Sequence, residues 1–330
     1  MRLPFRWRST SCGPVMGFQS AAGILRDLGL PIPGGRRLDV AGKVVLITGG
    51  ADGIGLALAR RLHRQGATVA LIDVSASGLK AADSALGGDR VVTVTADIRD
   101  RAAMADAVAE IVRRVGGIDV VIANAGVTPS PATLRTIDPA DFDRVMDINI
   151  TGTFNTVHAT VDEVIARAGH LVVISSGAAF TPGPGGAPYM ISKAAVEQLG
   201  RALRLEVAAN GATAGVVYFG MVDTALASAT LDDDQFGRAL DARLPGVLSR
   251  RMSADKAAEV IGRAIERRAG RVMAPAAWEP WALGRGFVNV LADGVLAADA
   301  KLHHLIRDLE SRSRTARPAS QPQPDKRVNR

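Results

Sequence analysis

Seven short apolar runs recur along the chain. They are KVVLITG (43–49), ATVALID (67–73), RVVTVTAD (90–97), DVVIANAG (119–126), HLVVISS (170–176), TAGVVYFG (213–220) and RVMAP (271–275). Each is rich in β-branched residues and nearly continuous. A strand with one wet face alternates apolar and polar residues, whereas a strand covered on both faces has no need to. Between the runs lie longer amphipathic stretches at helical spacing, such as 53–65, 100–115, 152–167, 189–209 and 254–268. Strands alternating with helices make βαβ units and a parallel sheet. The expected fold is α/β: a doubly wound seven-stranded parallel sheet with helices on both faces, formed as one domain by residues 39–275.

The net charge of +7 invites a nucleic-acid reading, but its distribution opposes one. Residues 1–38 carry +5 and residues 311–330 another +5, which leaves 39–310 at −3. The ends read as a flexible basic extension (1–38, with LPIPGGRR at 30–37 as a linker) and a disordered basic tail (312–330). No nucleic-acid partner is expected. The single cysteine, Cys12, excludes an internal disulfide and fits a reducing compartment. The start has no apolar run of signal-peptide length, and no stretch of 18 apolar residues exists, so no spanning segment and a cytoplasmic location are expected. Residues 276–311 form a C-terminal helical extension with Phe287, Leu291, Val295, Leu302, Leu305 and Leu309 at helical spacing. Packing on the main domain, peripheral membrane contact and a lid over a pocket are its three readings.

The first run ends in LITGGADGIGLALARRL, a strand, a glycine turn and a helix. Gly49, Gly53 and Gly55 keep side chains out of the turn, so that backbone can approach a phosphate. The helix start then offers free N–H groups and a positive dipole end. Asp73 ends the second run, 18 residues past Gly55. An acid there accepts both ribose hydroxyls of an adenosine and repels a 2′-phosphate. Asp52 adds negative charge to the turn, and Val74 follows Asp73, so the electrostatics favour NAD over NADP.

Tyr189 and Lys193 stand four positions apart in a chain with two tyrosines. On a helix they share a face. The pair alone does not distinguish proton transfer from packing. Its companions do, and with them the chain resembles the short-chain dehydrogenase/reductase family over roughly residues 40–275. Thr48 to Gly55 fit that family's TGxxxGxG turn. Asp97-Ile98 fit its acidic–apolar pair, Asn124-Ala125-Gly126 its NAG segment and Asn149 its active-site asparagine. Ser176 lies 13 residues before Tyr189, and Tyr189 to Lys193 fit YxxxK. The family has Pro-Gly after strand six; here Phe219-Gly220 stands, and Phe219 thickens the wall behind the nicotinamide or narrows the pocket.

The resemblance implies a Rossmann-like fold and a nicotinamide cofactor. The cofactor would be lined by Gly49, Asp52, Gly53, Ile54, Gly55, Asp73, Asp97, Ile98, Asn124, Ala125, Gly126, Tyr189, Lys193, Gly220, Val222 and Thr224. It implies catalysis by Asn149, Ser176, Tyr189 and Lys193. Tyrosine, with an ordinary pKa of about 10, is too weakly acidic to act as a base at neutral pH; a nearby ammonium lowers that value. Lys193 would do so and bond the nicotinamide ribose. Ser176 would hold the substrate oxygen, and Asn149 would anchor a water between Lys193 and solvent. Tyr218 reads as core. No metal-ligand spacing appears. The loops 177–188 and 221–247 would set specificity. The first is small and apolar, with Phe180, and the second offers Met221, Ala225, Leu226 and Leu231, although Arg238 and Arg243 leave an anion anchor open. A secondary alcohol or ketone of steroid, terpenoid or lipid type is the expected substrate. An NADPH-dependent acyl-carrier or quinone reductase and a non-catalytic dinucleotide sensor are the alternatives. The family resemblance also implies a homodimer or homotetramer through 152–167 and 189–209.

Overall fold

The computed structural model describes residues 37–243, 246 and 249–316. Most of the two basic extensions, and the linker at 30–37 apart from Arg37, lie outside the described residues. The strands in chain order are β1 (Val44–Thr48), β2 (Thr68–Asp73), β3 (Val91–Thr95), β4 (Val120–Ala123), β5 (His170–Ser176), β6 (Thr213–Phe219), β7 (Val222–Asp223), β8 (Met252–Ser253) and β9 (Arg271–Ala274). Seven of them form one parallel sheet in the order β3-β2-β1-β4-β5-β6-β9, as the seven apolar runs predict. β7 and β8 make a separate two-stranded ribbon that pairs Val222 with Met252.

The helices are α1 (Gly53–Arg64), α2 (Ala76–Leu86), α3 (Arg101–Val115), α4 (Pro139–Met146), α5 (Gly152–Ala166), α6 (Ala187–Ala208), α7 (Gln235–Asp241), α8 (Ala254–Arg267), α9 (Glu279–Ala297) and α10 (Ala300–Ala316). Their ends follow from local chemistry. Asp100 accepts from the amides of Ala102 and Ala103 to start α3, and Gly116 ends it at φ 80°. Ser75 caps α2, and Asp138 followed by Pro139 opens α4.

Period-two alternation splits each central strand between two cores. Val45 and Ile47 of β1 join Leu58, Leu62, Ile261 and Ile265 from α1 and α8. Val44 and Leu46 join Met104, Ile111, Val164, Val196 and Leu203 from α3, α5 and α6. Full burial of each such side chain is worth about 1.5–3 kcal/mol. β3 departs from the expectation of burial on both faces. As the edge strand its residues are half-buried and Thr95 is exposed. The sheet order reverses direction between β1 and β4, which opens a crevice at the C-terminal strand ends.

The expected 281–311 helix is two helices. Asp299 breaks it and caps α10 through the amides of Lys301 and Leu302. α10 continues to Ala316, past the boundary drawn at 311. Core packing holds for Leu302 and Leu309, which are buried. It fails for Phe287, Leu291 and Val295, which are exposed.

His170 opens β5 fully buried, with Nδ1 on Thr213 Oγ1 at 2.8 Å and Nε2 unpartnered. Burial, assisted by the Arg268 cation, presses its pKa from 6.5 down to about 3. The unfolded chain therefore binds a proton that the folded one excludes. Stability present above pH 6.5 is lost as pH falls towards 3, by as much as about 5 kcal/mol. Denaturant titrations of wild type and His170→Leu across that window are expected to diverge, with the steeper acid loss in wild type. Parallel curves would show that His170 contributes none of it.

Candidate active site at the C-terminal strand ends

β1 runs into the glycine turn. Gly49 and Gly53 adopt φ 65° and 53°, the left-handed region that favours glycine. A Cβ on Gly49 would lie 3.0 Å from both Ala125 Cα and Asn124 Nδ2, and one on Gly55 would overlap the Gly49 carbonyl oxygen. Asn124 Nδ2 donates to the Thr48 carbonyl at 3.0 Å. The amides of Asn124 and Ala125 donate to Thr48 Oγ1 at 3.1 and 3.3 Å. Thr48 thus ties β1 to β4, a role that its place in the turn motif alone does not reveal. Asp52 begins α1 without a side-chain capping bond, and Ile54 packs half-buried on the core. Asp73 lies beside the turn, where its carboxylate accepts from Ala51 N (3.2 Å) and Ser75 N (3.0 Å). A cradle without side chains, at a helix start and beside a strand-end carboxylate, fits the pyrophosphate and ribose of a dinucleotide.

Asp97 is already engaged. Arg99 grips its carboxylate, with Nη2 on Oδ2 at 2.6 Å, and that bond holds the pKa below the ordinary value. Ile98 is buried, and its side chain fills the space above Gly152. The pair therefore has only the Ile98 main chain and a shared carboxylate to offer an adenine. On the far side Thr224 reaches the glycine turn, with Cγ2 lying 3.7 Å from a Cβ built on Gly53. Val222 is buried, and the amide of Gly220 donates to the Ala274 carbonyl at 2.8 Å.

Ser176, Tyr189, Lys193 and Asn149 come together from β5, α6 and a π-helical turn at Asp147–Thr151 between α4 and α5. Such turns are rare and recur at functional sites. Ser176 Oγ donates to the Phe219 carbonyl at 3.1 Å and accepts from Ala178 N at 3.1 Å, and its hydroxyl lowers the pKa of the Tyr189 phenol. Lys193 Nζ stands 5.5 Å from the centre of the Tyr189 ring and donates to the Ile174 carbonyl at 3.0 Å. Burial lowers its pKa from 10.5 to about 8. Tyr189 departs from the sequence expectation. Burial raises its pKa, against a smaller lowering by the Ser176 hydroxyl.

Asn149 is clasped to Val127. Its Nδ2 donates to Val127 O at 2.9 Å and its Oδ1 accepts from Val127 N at 2.8 Å. The same Nδ2 bonds Ser192 Oγ (2.9 Å), which in turn donates to Tyr189 O (2.8 Å). Ser192 was not among the sequence candidates. A hydroxyl three residues past Tyr189 was its only signal. Gly126 leaves room for both neighbours, since a Cβ there would meet Asn149 Oδ1 at 3.2 Å and Lys193 Nζ at 3.5 Å.

Over the strand ends, Thr128 Oγ1 bonds Thr230 Oγ1 at 2.7 Å and joins two loops. Phe180 and Phe236 are buried there. The loop arginines are neutralised: Arg243 pairs with Asp299, Arg251 with Asp232 and Asp241, and Arg135 with Glu310. Arg238 donates to the Asp232 carbonyl. Tyr218 is core, packed on Phe180 at 5.3 Å. Phe219 is buried in the wall. Behind it the indole of Trp278 occupies the space that Gly177 and Gly220 leave open. A Cβ on either glycine would come within 2.8 or 2.6 Å of it.

The short chain dehydrogenase family model matches residues 43–235. The chain belongs to the short-chain dehydrogenase family. Among this family's members, oxidoreductase UcpA of Escherichia coli is 38% identical over 57% of this chain and 72% of its own length. The 2-(R)-hydroxypropyl-CoM dehydrogenase of Xanthobacter autotrophicus is 32% identical over 62% of this chain and 84% of its own length. The crystal structure of levodione reductase superposes with a TM-score of 0.65 at 27% identity, covering 71% of this chain and 96% of that one. As a short-chain dehydrogenase the chain is an oxidoreductase that binds a nicotinamide dinucleotide and acts on a small molecule.

Proposed function

We propose that this short-chain dehydrogenase is NAD-linked and interconverts a secondary alcohol and a ketone on a hydrophobic substrate, with Tyr189 as general acid and base. The observation that carries the reading is the convergence of Ser176, Tyr189 and Lys193, braced by Asn149, beside a cradle shaped for a dinucleotide. The bound nicotinamide supplies the acceptor or donor of hydride. Tyr189 Oη takes the hydroxyl proton in oxidation and returns it in reduction. Ser176 Oγ, from the end of β5, holds the substrate oxygen and stabilises the charge that develops there. Lys193, buried with a pKa near 8, sits on the proton route beneath the ring. Two relatives bear names that describe the dehydrogenation of a 2-hydroxypropyl compound and the reduction of levodione, which supports alcohol–ketone chemistry. Arginines engaged with carboxylates and a backbone carbonyl, together with buried phenylalanines, favour an apolar substrate over an anionic one. Phe154, Ile191 and Leu205 stand exposed on α5 and α6, which suits a homodimer or homotetramer through those helices.

Fluorescence titration with NADH and NADPH tests the cofactor assignment. NADH is expected to bind at least tenfold more tightly, about 1.4 kcal/mol. Asp73→Ser should narrow that preference by weakening NADH. Tighter binding of NADPH by wild type would overturn it.

A further inference from the structure

Two loops leave the catalytic end of the sheet around the site. The first departs at Val127, which clasps Asn149, and runs to α4. The second departs at Thr224, beside the glycine turn, and carries α7. Close to the strand ends they are joined by the bond between Thr128 Oγ1 and Thr230 Oγ1. α10 joins them a second time, further out. Asp299, which caps α10, pairs with Arg243 of the second loop. About three turns along the helix, Glu310 accepts from Thr133 Oγ1 and from Arg135 Nη1 of the first loop, each at 3.0 Å. At about 1.5 Å per residue the two attachments stand roughly 16 Å apart.

Between the attachments α10 lies along α7. Leu302 and Leu309 are buried, and Leu305 lines a cleft of about 230 Å³ with Phe236 and Ala239. Arg312 stands 3.9 Å from Asp234, the residue that caps α7 through the amides of Phe236 and Gly237. Phe236 in turn presses on the loop after Ser176, where a Cβ on Gly185 would come within 2.5 Å of its ring, and Ala132 N donates to the Gly185 carbonyl at 3.0 Å. A helix of this length is stiff, so pinning it to two loops fixes the distance between them. The attachments are nonetheless light. The arginines that Asp299 and Glu310 hold are partly exposed, and such pairs add little against solvent. The cleft leaves α10 incompletely packed on α7. An element held in this way opens before the core does.

We propose that α10 is a crossbar over the mouth of the site, which holds the loops at 128–137 and 225–243 at a fixed separation and so sets how large a substrate they admit. The inference rests on the reading that these loops bound the substrate site. α10 lies beyond residues 43–235, the stretch that the family model matches, so this restraint belongs to the chain's own C-terminal extension. Releasing Glu310 frees the first loop directly. It also frees the second, which α10 then no longer braces against the first.

The test compares amide hydrogen exchange of the full chain in wild type and Glu310→Ala, with NADH binding as the report on the fold. Exchange is expected to rise at least roughly threefold in both 128–137 and 225–243, and to stay unchanged in β1 and β4. Among 2-alkanols of increasing length oxidised with NAD, the variant should shift its kcat/KM ratio from 2-butanol towards 2-octanol, again by at least roughly threefold. A rise confined to 128–137, or none in either loop, overturns the crossbar. So does a rise across the whole chain with NADH binding lost, which would make Glu310 a residue of the fold alone. A rise in both loops with an unchanged kcat/KM ratio overturns the control of substrate size. If wild type oxidises no 2-alkanol while exchange rises in both loops, the crossbar stands and the alcohol reading falls.

Discussion

Replacing Tyr189 with phenylalanine removes one oxygen atom and is expected to lower kcat by about 10²–10⁴, the usual range for a lost general acid–base group. The ring remains, so Lys193 keeps its neighbour at 5.5 Å and the fold is undisturbed. NADH affinity should change less than about twofold, because phenylalanine keeps the ring that lines the cofactor and loses only the hydroxyl assigned to the substrate oxygen. This split between turnover and binding distinguishes an acid–base residue from a merely packed aromatic. Parallel loss of NADH binding would mean that Tyr189 holds the cofactor site together. Unchanged turnover would remove it from the chemistry. The sensor reading predicts no turnover in wild type at all. The pH profile adds a second readout. Burial raises the phenol pKa in the protein alone, so the basic form is scarce at neutral pH and the oxidation rate is expected to climb with pH.

Gly55→Ala should be the most damaging change in the cofactor cradle. The new methyl would overlap the Gly49 carbonyl oxygen and come within 3.0 Å of Asn124 Nδ2. The first contact is with backbone, which cannot swing aside as a side-chain tip can. The turn must open, at a cost of about 3 kcal/mol or more. NADH affinity is expected to fall by about a hundredfold, with a lower denaturation midpoint. Gly286→Ala is the control. Nothing lies within 4 Å of its new methyl, and alanine suits a helix better, by about 0.5–1 kcal/mol. If Gly55→Ala bound NADH as wild type does, the turn would not be the cradle.

Much of this arrangement can be read from residue order because it is locally encoded. Apolar runs such as VVLIT and LVVIS suffice to announce strands covered on both faces, and their alternation with helices yields the parallel sheet. Glycines 49, 53 and 55 announce a turn that excludes side chains. What escapes is whatever depends on which distant groups meet. Asp97 is spent on Arg99, two residues on, because their side chains lie on the same side of a loop. Ser192 gains its role only when the π-helical turn brings Asn149 within 2.9 Å. Helical periodicity in 281–311 gives the same pattern for a buried stripe as for an exposed one. It therefore could not separate Leu302 from Phe287, and only the break at Asp299 sends the two halves to different surroundings.

The indole of Trp278 and the bare α-carbons of Gly177 and Gly220 divide a fixed volume among three positions drawn from three separate stretches of the chain. Growth at one must be matched by shrinkage at another. Substitutions there will be non-additive, and a change harmful alone becomes tolerable in company. The Ser176 turn and the segment after β6 are in this way interlocked parts, free to be redesigned together but not one at a time.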